Sequence, residues 1–460
     1  MDTQEVTSLQ FLQRQAASLL LYQSVLTDEV GCAFLDLLQA LRHIYLMQAL
    51  RHSDIDELGC IKAYGRWFKA LAARNQSWQD YLITQILTDD NPFTCQIQQV
   101  VLVKLPPAMV AAAQRDLQAL QSLYECNSNE LSQWVQVAAQ LPVVPVVWNH
   151  EPAEVEIPHW NTKGIHELPL RTRLQQLGNW AEALEELATY YQEFGTGIFA
   201  EYWALRWESG QMVGIRHPDP VELNQLVSYE SQKDVLLKNT EFLLAGYPAL
   251  HVLLYGSRGS GKSSLVKGLL NKYGDRNLRL IEVAKSDLKD LPKIVEQLRG
   301  VPQKFIIFVD DLSFEEDDDA FKALKVVLEG NLTARPQNVV VYATSNRRHL
   351  IREFFGDRPR PSANEEVHAW DTVQEKLSFS DRFGLTLTFE PADQPTYLKI
   401  VQHLATQAEI TLSQEDLEYR ALQWATRHNG RSGRTARQFI NFLKAELAVY
   451  ESKPGSTSSH

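Results

Sequence analysis

The sequence predicts an α/β protein in which a parallel sheet lies between helices, with an all-helical region before it and a second helical region after it. Three observations lead there. From Leu223 onward, short apolar runs ("HVLLYG", "LRLIEV", "KFIIFVD", "NVVVYATSN") alternate with amphipathic stretches, as expected of parallel crossover units whose sheet is covered on both faces. Residues 1–140 instead carry apolar residues at spacings of three and four, in "FLQRQAASLLLYQSVL", "CAFLDLLQALRHIYLMQAL" and "AAAQRDLQALQSLYE". The same spacing returns after Arg382, in "QPTYLKIVQHLATQAEI", "SQEDLEYRALQWATRH" and "TARQFINFLKAELAVY".

Within the first region, Pro106 and Pro107 suit a helix start, and "NSNELSQWVQVAAQL" offers an Asn or Ser cap before another apolar face. Its Trp and Tyr residues read as core. Five prolines between Leu141 and Pro169 (Pro142, Pro145, Pro152, Pro158 and Pro169) suggest an extended linker over 141–180. Helical patterning resumes in "LGNWAEALEELATYYQEFGTGIFAEYWALRWESG", a helical connector over 181–222. The expected division is therefore 1–140 helical, 141–180 linker, 181–222 connector, 223–390 α/β domain, 391–452 helical lid and 453–460 disordered tail.

Composition narrows the function classes. The chain has 460 residues, enough for more than one core, and its net charge of -12 with a pI near 5.5 argues against a general electrostatic grip on nucleic acid. A local basic cluster at Arg347, Arg348, His349, Arg352, Arg358 and Arg360 leaves a DNA-associated motor or loader as a minor alternative. The start lacks a basic n-region and apolar core, and no run of uncharged apolar residues suits a membrane span, so a cytoplasmic location is expected. Cys32, Cys60, Cys95 and Cys126 form no metal-ligand spacing and read as buried reduced thiols.

The chemistry centres on "HVLLYGSRGSGKSSLVKGLL". Gly256, Gly261, Lys262 and Ser263 fit G-x-x-x-x-G-K-[ST] between an apolar strand and an amphipathic helix. Such a loop wraps its backbone N–H groups around phosphates, so Gly256, Ser257, Arg258, Gly259, Ser260, Gly261, Lys262, Ser263 and Ser264 are the expected phosphate cradle. Lys262 would reach the β and γ phosphates of ATP, and Ser263 would hold Mg²⁺. No NKxD guanine reader follows, which disfavours GTP.

Downstream, "FIIFVDDLSFEEDDDAFKALKVVLEG" carries an apolar strand into a stretch where seven of ten residues, Asp310 to Asp319, are acidic. Taken alone this is a solvated acidic loop. Paired with the phosphate loop, Asp310 becomes the candidate for Mg²⁺ through water, and Asp311 for orienting or deprotonating the attacking water. Asp is a methylene shorter than the Glu often found there, with Glu315 and Glu316 as substitutes. Asp317 to Asp319 read as a helix start. "NVVVYATSN" ends in Asn346, whose amide could position water or touch the γ phosphate, or simply cap a loop.

These pieces in this order resemble the AAA+ ATPases. The resemblance implies that Val227 to Tyr229, in "LNQLVSYESQKDVLLKNTEFLLAG", lie near the adenine, with Val227 and Tyr229 as base-binding residues. It implies Walker A at Gly256 to Ser263, Walker B at Asp310 and Asp311, and sensor 1 at Asn346. Arg382 in "SDRFG" matches the arginine finger, and Arg434 in "NGRSGRTARQFI" matches sensor 2, with Arg437 as fallback. The segments "LLYGSRGSGKSSLVKGLLNKY", "FVDDLSFEEDDDAFKALKVVLEGNLTARPQNVVVYATSNRRHLI", "EKLSFSDRFGL" and "GRSGRTARQFI" are similar to the bacterial domain of unknown function 815 family, over roughly Tyr190 to Leu447. A finger arginine acting on a neighbour's nucleotide implies a homo-oligomer, such as a ring. The expectation is an ATPase that hydrolyses Mg-ATP and couples it to movement of the lid for an unidentified protein client. The alternative is a switch or scaffold that binds ATP and hydrolyses it slowly.

Overall fold

The apolar runs that alternate with helices become strands of one sheet. In the computed structural model of the chain, the described residues are 3–49, 56–148, 163–313, 319–329, 336–346, 382–428 and 430–451. They divide into two units, Met1–Glu201 and Tyr202–His460.

The strands of the second unit are β1 (Ala204–Glu208), β2 (Gln211–Ile215), β3 (Val252–Gly256), β4 (Leu278–Glu282), β5 (Lys304–Val309), β6 (Val339–Ser345) and β7 (Leu385–Phe389). They lie in the order β2-β1-β4-β5-β6-β3-β7, and every neighbouring pair but β1–β2 is parallel. The interior strands are largely apolar because helices cover both faces; all seven residues of β6 are buried. The register aligns Leu254 of β3 with Thr344 of β6, and Phe308 of β5 with Tyr342 of β6. The C-terminal ends of β5, β6 and β3 therefore open side by side, the position where open α/β sheets hold ligands.

One expectation is corrected here. "EYWALRWESG" reads as helix, but residues 204–215 form an antiparallel hairpin that extends the sheet beside β4. Ser209 and Gly210 both have positive φ (52° and 82°), which makes a two-residue hairpin turn of the primed type. Ala204, Leu205 and Trp207 are then buried, and Arg206 pairs with Glu282 across the strands at 2.8 Å.

The helices in chain order are α1 (Thr3–Ala17), α2 (Glu29–Ala49), α3 (Glu57–Arg74), α4 (Trp78–Thr88), α5 (Pro92–Ile97), α6 (Pro107–Glu125), α7 (Ser128–Ala138), α8 (Lys163–Gln176), α9 (Leu184–Phe194) and α10 (Gly197–Glu201) in the first unit. In the second are α11 (Glu230–Leu244), α12 (Lys262–Tyr273), α13 (Leu291–Gln297), α14 (Asp319–Glu329), α15 (Gln394–Gln407), α16 (Gln414–Arg427) and α17 (Gly433–Glu446). The last three pack on their own core of Tyr397, Val401, Ala421, Phe439 and Leu443. Their N-termini are capped by Asp393, Ser413 and Ser432, whose side chains accept backbone N–H groups left over at a helix start.

The first unit is helical, and its aromatic residues are core as expected: Trp67, Trp78 and Trp180 are buried, and Phe34 stacks on Trp78 with centroids 4.0 Å apart. The fully buried Asp116 accepts three consecutive backbone N–H groups, from Leu20, Leu21 and Tyr22, at 2.6 to 3.0 Å. Helix α6 starts at Pro107, and Asn127 caps α7. Of the proline-rich stretch, residues 149–162 lie outside the described residues, and the chain from Lys163 is helical despite Pro169. Residues Glu29–Gln48 are long and apolar enough to cross a membrane by composition alone, yet half of that window is buried in the unit's own core. The cysteines are free, but only Cys60 and Cys126 are buried. Cys32 and Cys95 are exposed, because their helices turn those positions outward.

Candidate phosphate-binding site

The loop from β3 to α12 is shaped by its glycines. Gly256 has φ 141°, and a Cβ there would fall 1.9 Å from the Phe389 carbonyl oxygen on β7. Gly259 has φ 74°, with Ser432 and Arg434 of the C-terminal bundle packed against it. The loop delivers the chain to α12 at Lys262, so unpaired N–H groups and the positive helix end face the same space.

Lys262 is buried, and its ammonium donates to the Gly256 carbonyl at 3.1 Å, the Ser257 carbonyl at 2.7 Å and Asn346 Oδ1 at 3.3 Å. Burial pushes that ammonium below its ordinary 10.5, against the pull of Asp310 and Asp311, and the nearby Arg434 adds to the depression. All three of its hydrogen-bond acceptors are neutral oxygens.

The acids follow from β5. Asp310 Oδ1 accepts the Ser263 hydroxyl at 2.6 Å and the Thr344 hydroxyl at 2.5 Å. Asp311 has φ 52°, in the left-handed region. Its backbone N–H donates to Thr344 Oγ1 at 3.0 Å, and its carboxylate accepts Asn346 Nδ2 at 2.6 Å. A hydroxyl and one carboxylate meeting at a strand end suit a small hard cation that keeps most of its waters, so Ser263 and Asp310 fit Mg²⁺. Among the described residues, no cluster of three or more His, Cys, Asp or Glu offers another metal site.

These groups open onto a cavity of about 580 Å³ that Arg258 to Ser264, Asp310, Asp311, Thr344 and Asn346 line from the sheet side. Arg434, Arg437, Gln438 and Asn441 line it from α17. Both arginines reach it because they stand one helical turn apart. The backbone N–H of Arg434 also donates to the Gly259 carbonyl at 3.1 Å, tying the bundle to the loop. A second, mostly apolar slot of about 70 Å³ adjoins it, sharing Ser260, Gly261, Ser264 and Arg437. Val227 and Tyr229 line this slot with Leu226, Phe389, Ile400 and Leu404, and Tyr229 is held by a 2.8 Å hydrogen bond to the Glu390 carbonyl.

Arg382 stands apart. It precedes β7, pairs with Glu329 at the end of α14, and is not among the residues lining its own chain's cavity. Glu315 and Glu316, most of the acidic run after Ser313, and the basic cluster from Arg347 to Arg360 lie outside the described residues. The sequence motifs give no role to Thr344, Gln438 or Asn441. Their signals are a threonine and a serine closing an otherwise apolar strand, and amides four and seven positions after Arg434.

A phosphate loop between β3 and α12, on a strand flanked by β6 and β7, with the acids one strand further on and a three-helix bundle reaching the loop, makes this an AAA+ P-loop fold. Within that class, residues 200–447 match the family described as "Protein of unknown function (DUF815)", and the chain belongs to it. No curated protein matches the chain. Among solved structures, the Thermotoga maritima RuvB Holliday junction branch migration motor aligns at 14% identity over 51% of this chain and 81% of its own, with a TM-score of 0.29. A point mutant of the same RuvB aligns at 16% identity over 50% of this chain and 68% of its own, with a TM-score of 0.36. The replication initiator DnaA, bound to AMPPCP and single-stranded DNA, aligns at 18% identity over 51% and 69%, with a TM-score of 0.32.

Proposed function

We propose that the protein binds Mg-ATP in the cavity between the phosphate loop and α17 and hydrolyses it. The observation that carries this reading is the connected set Lys262, Asn346, Asp311, Thr344, Asp310 and Ser263, each hydrogen-bonded to the next around one space. The loop N–H groups and Lys262 would grip the phosphates. Val227 and Tyr229 would flank the base in the apolar slot. Magnesium, when bound, neutralises charge between the phosphates, and Ser263 and Asp310 are the residues that would hold it. Asp311 would accept a proton from the attacking water, with Asn346 orienting that carboxylate. Arg434 would sense the phosphates from the bundle, with Arg437 bridging cavity and slot.

In this reading Arg382 acts on the nucleotide of a neighbouring copy, so hydrolysis requires a homo-oligomer, and the 391–452 bundle is the lid that moves. The setting is the cytoplasm and the client is a protein. A slow-hydrolysing switch is the second reading, favoured by the aspartate at position 311, one methylene shorter than a glutamate and hydrogen-bonded to Asn346 at 2.6 Å. Binding of a fluorescent ATP analogue and phosphate release, compared between wild type and Lys262→Ala, test the proposal. Wild-type binding lost in Lys262→Ala supports it, and no binding by wild type removes it. Release on a scale of seconds favours the ATPase over the switch.

A further inference from the structure

We propose that Thr344 is the positioning residue that holds both acids of the site in one frame; the inference rests on the Mg-ATP reading above. A threonine hydroxyl has one proton to give and lone pairs to accept with. Here both are used. The proton goes to Asp310 Oδ1 at 2.5 Å, and the oxygen accepts the Asp311 N–H at 3.0 Å. One side-chain atom thereby fixes the carboxylate of the first acid and the backbone of the second.

The second bond matters because Asp311 has φ 52°, a region that residues with a Cβ seldom occupy without being held there. The end of β6 supplies the hold. The Leu312 N–H donates to the Thr344 carbonyl at 2.7 Å, and the Ser345 hydroxyl donates to the Leu312 carbonyl at 2.8 Å. Thr344 itself is 2% exposed, so its bonds do not compete with bulk water.

The first bond matters because Asp310 Oδ1 has two hydroxyl donors with different duties. Ser263 is the residue expected to offer an oxygen lone pair to the cation while its proton stays on Asp310. Thr344 has no such second duty. It is the donor that only keeps Asp310 oriented when the site is loaded, as outer partners of metal-binding carboxylates do.

The test compares full-length wild type with Thr344→Val, which keeps the branched shape and loses the hydroxyl, and Thr344→Ser, which keeps the hydroxyl. Binding of a fluorescent ATP analogue is measured in EDTA and then titrated with Mg²⁺, and steady-state hydrolysis is measured separately. In Thr344→Val, metal-free binding stays within about threefold of wild type, while half-saturating Mg²⁺ rises and kcat falls by about tenfold or more, KM changing little. Thr344→Ser restores both. Wild-type Mg²⁺ dependence in Thr344→Val overturns the inference, as does a Thr344→Ser variant as impaired as Thr344→Val. If Thr344→Val does not fold by circular dichroism, Thr344→Ala carries the same expectations. Wild type that binds no nucleotide defeats the parent reading instead, and wild type that binds without hydrolysing leaves the Mg²⁺ titration to decide.

Discussion

Asn346 donates its side-chain N–H to the Asp311 carboxylate at 2.6 Å while its own carbonyl oxygen takes the ammonium of Lys262 at 3.3 Å. The amide can satisfy both neighbours in only one orientation, so Lys262 and Asp311, the proposed phosphate-gripping cation and the proposed base, are linked through a single side chain. A γ phosphate that draws Lys262 away loosens one half of that link. Asn346→Ala is expected to lower kcat by about ten- to a hundredfold, with a smaller change in ATP affinity. Asp311→Asn should do the same or more and retain ATP in a trapped state. Steady-state kinetics beside equilibrium binding separate the two effects, and a variant that loses binding first would speak against this division of labour.

Lys262 gives a pH signature. Its ammonium is held below the ordinary lysine value by burial, so in the free protein it loses its proton at a lower pH than in an unfolded chain. The buried charge costs stability below that depressed pKa, and the cost fades as pH rises through it. The triphosphate requires the charged form. ATP affinity is therefore flat near neutrality and falls on the alkaline side, by up to about tenfold per pH unit. Calorimetry in two buffers of different ionisation heat should detect proton uptake on ATP binding at alkaline pH and none near pH 7. Equal uptake at both would count against Lys262 as the titrating group.

Arg382 is expected to act across a subunit boundary. Arg382→Ala should retain ATP and lose hydrolysis by about a thousandfold, the order seen for arginines that steady phosphoryl transfer in trans. Lys262→Ala has an intact Arg382 but cannot grip nucleotide. Mixing the two inactive variants should restore part of the activity. A mixture that stays inactive, at concentrations where wild type is active, rules out complementation in trans.

Asp116 tests the first unit. Its buried carboxylate serves three backbone N–H groups that lack another described partner. Asp116→Ala removes the acceptor they share, and with it the only partner of the buried Tyr22 N–H among the described residues, a loss of about 2 kcal/mol. Urea unfolding followed by tryptophan fluorescence should register that loss, and Asp116→Asn, which keeps one acceptor, should lose less.

Much of this was legible because parallel strands buried on both faces leave an unbroken apolar signal, and because the phosphate loop depends on glycines at fixed spacing. β3, β4, β5 and β6 fall where "HVLLYG", "LRLIEV", "KFIIFVD" and "NVVVYATSN" place them. The hairpin at 204–215 was not legible by periodicity, since Trp203, Ala204, Leu205 and Trp207 suit a helix face nearly as well as a half-buried strand. Only the Ser209-Gly210 pair distinguishes the two. The slot residues Ile400 and Leu404 read as ordinary helix core, because nothing local says that α15 returns to meet Val227 and Tyr229. Arg434 and Arg437 cannot be ranked from spacing when both face the same cavity.

Gly256 carries a consequence of its own. The atom that forbids a side chain there belongs to Phe389 on the adjoining strand, so the opening glycine of the loop answers to the sheet, whereas Gly259 answers to Ser432 and Arg434 of the C-terminal bundle. Damage at this position would surface as poor yield of folded protein, well before any nucleotide is offered.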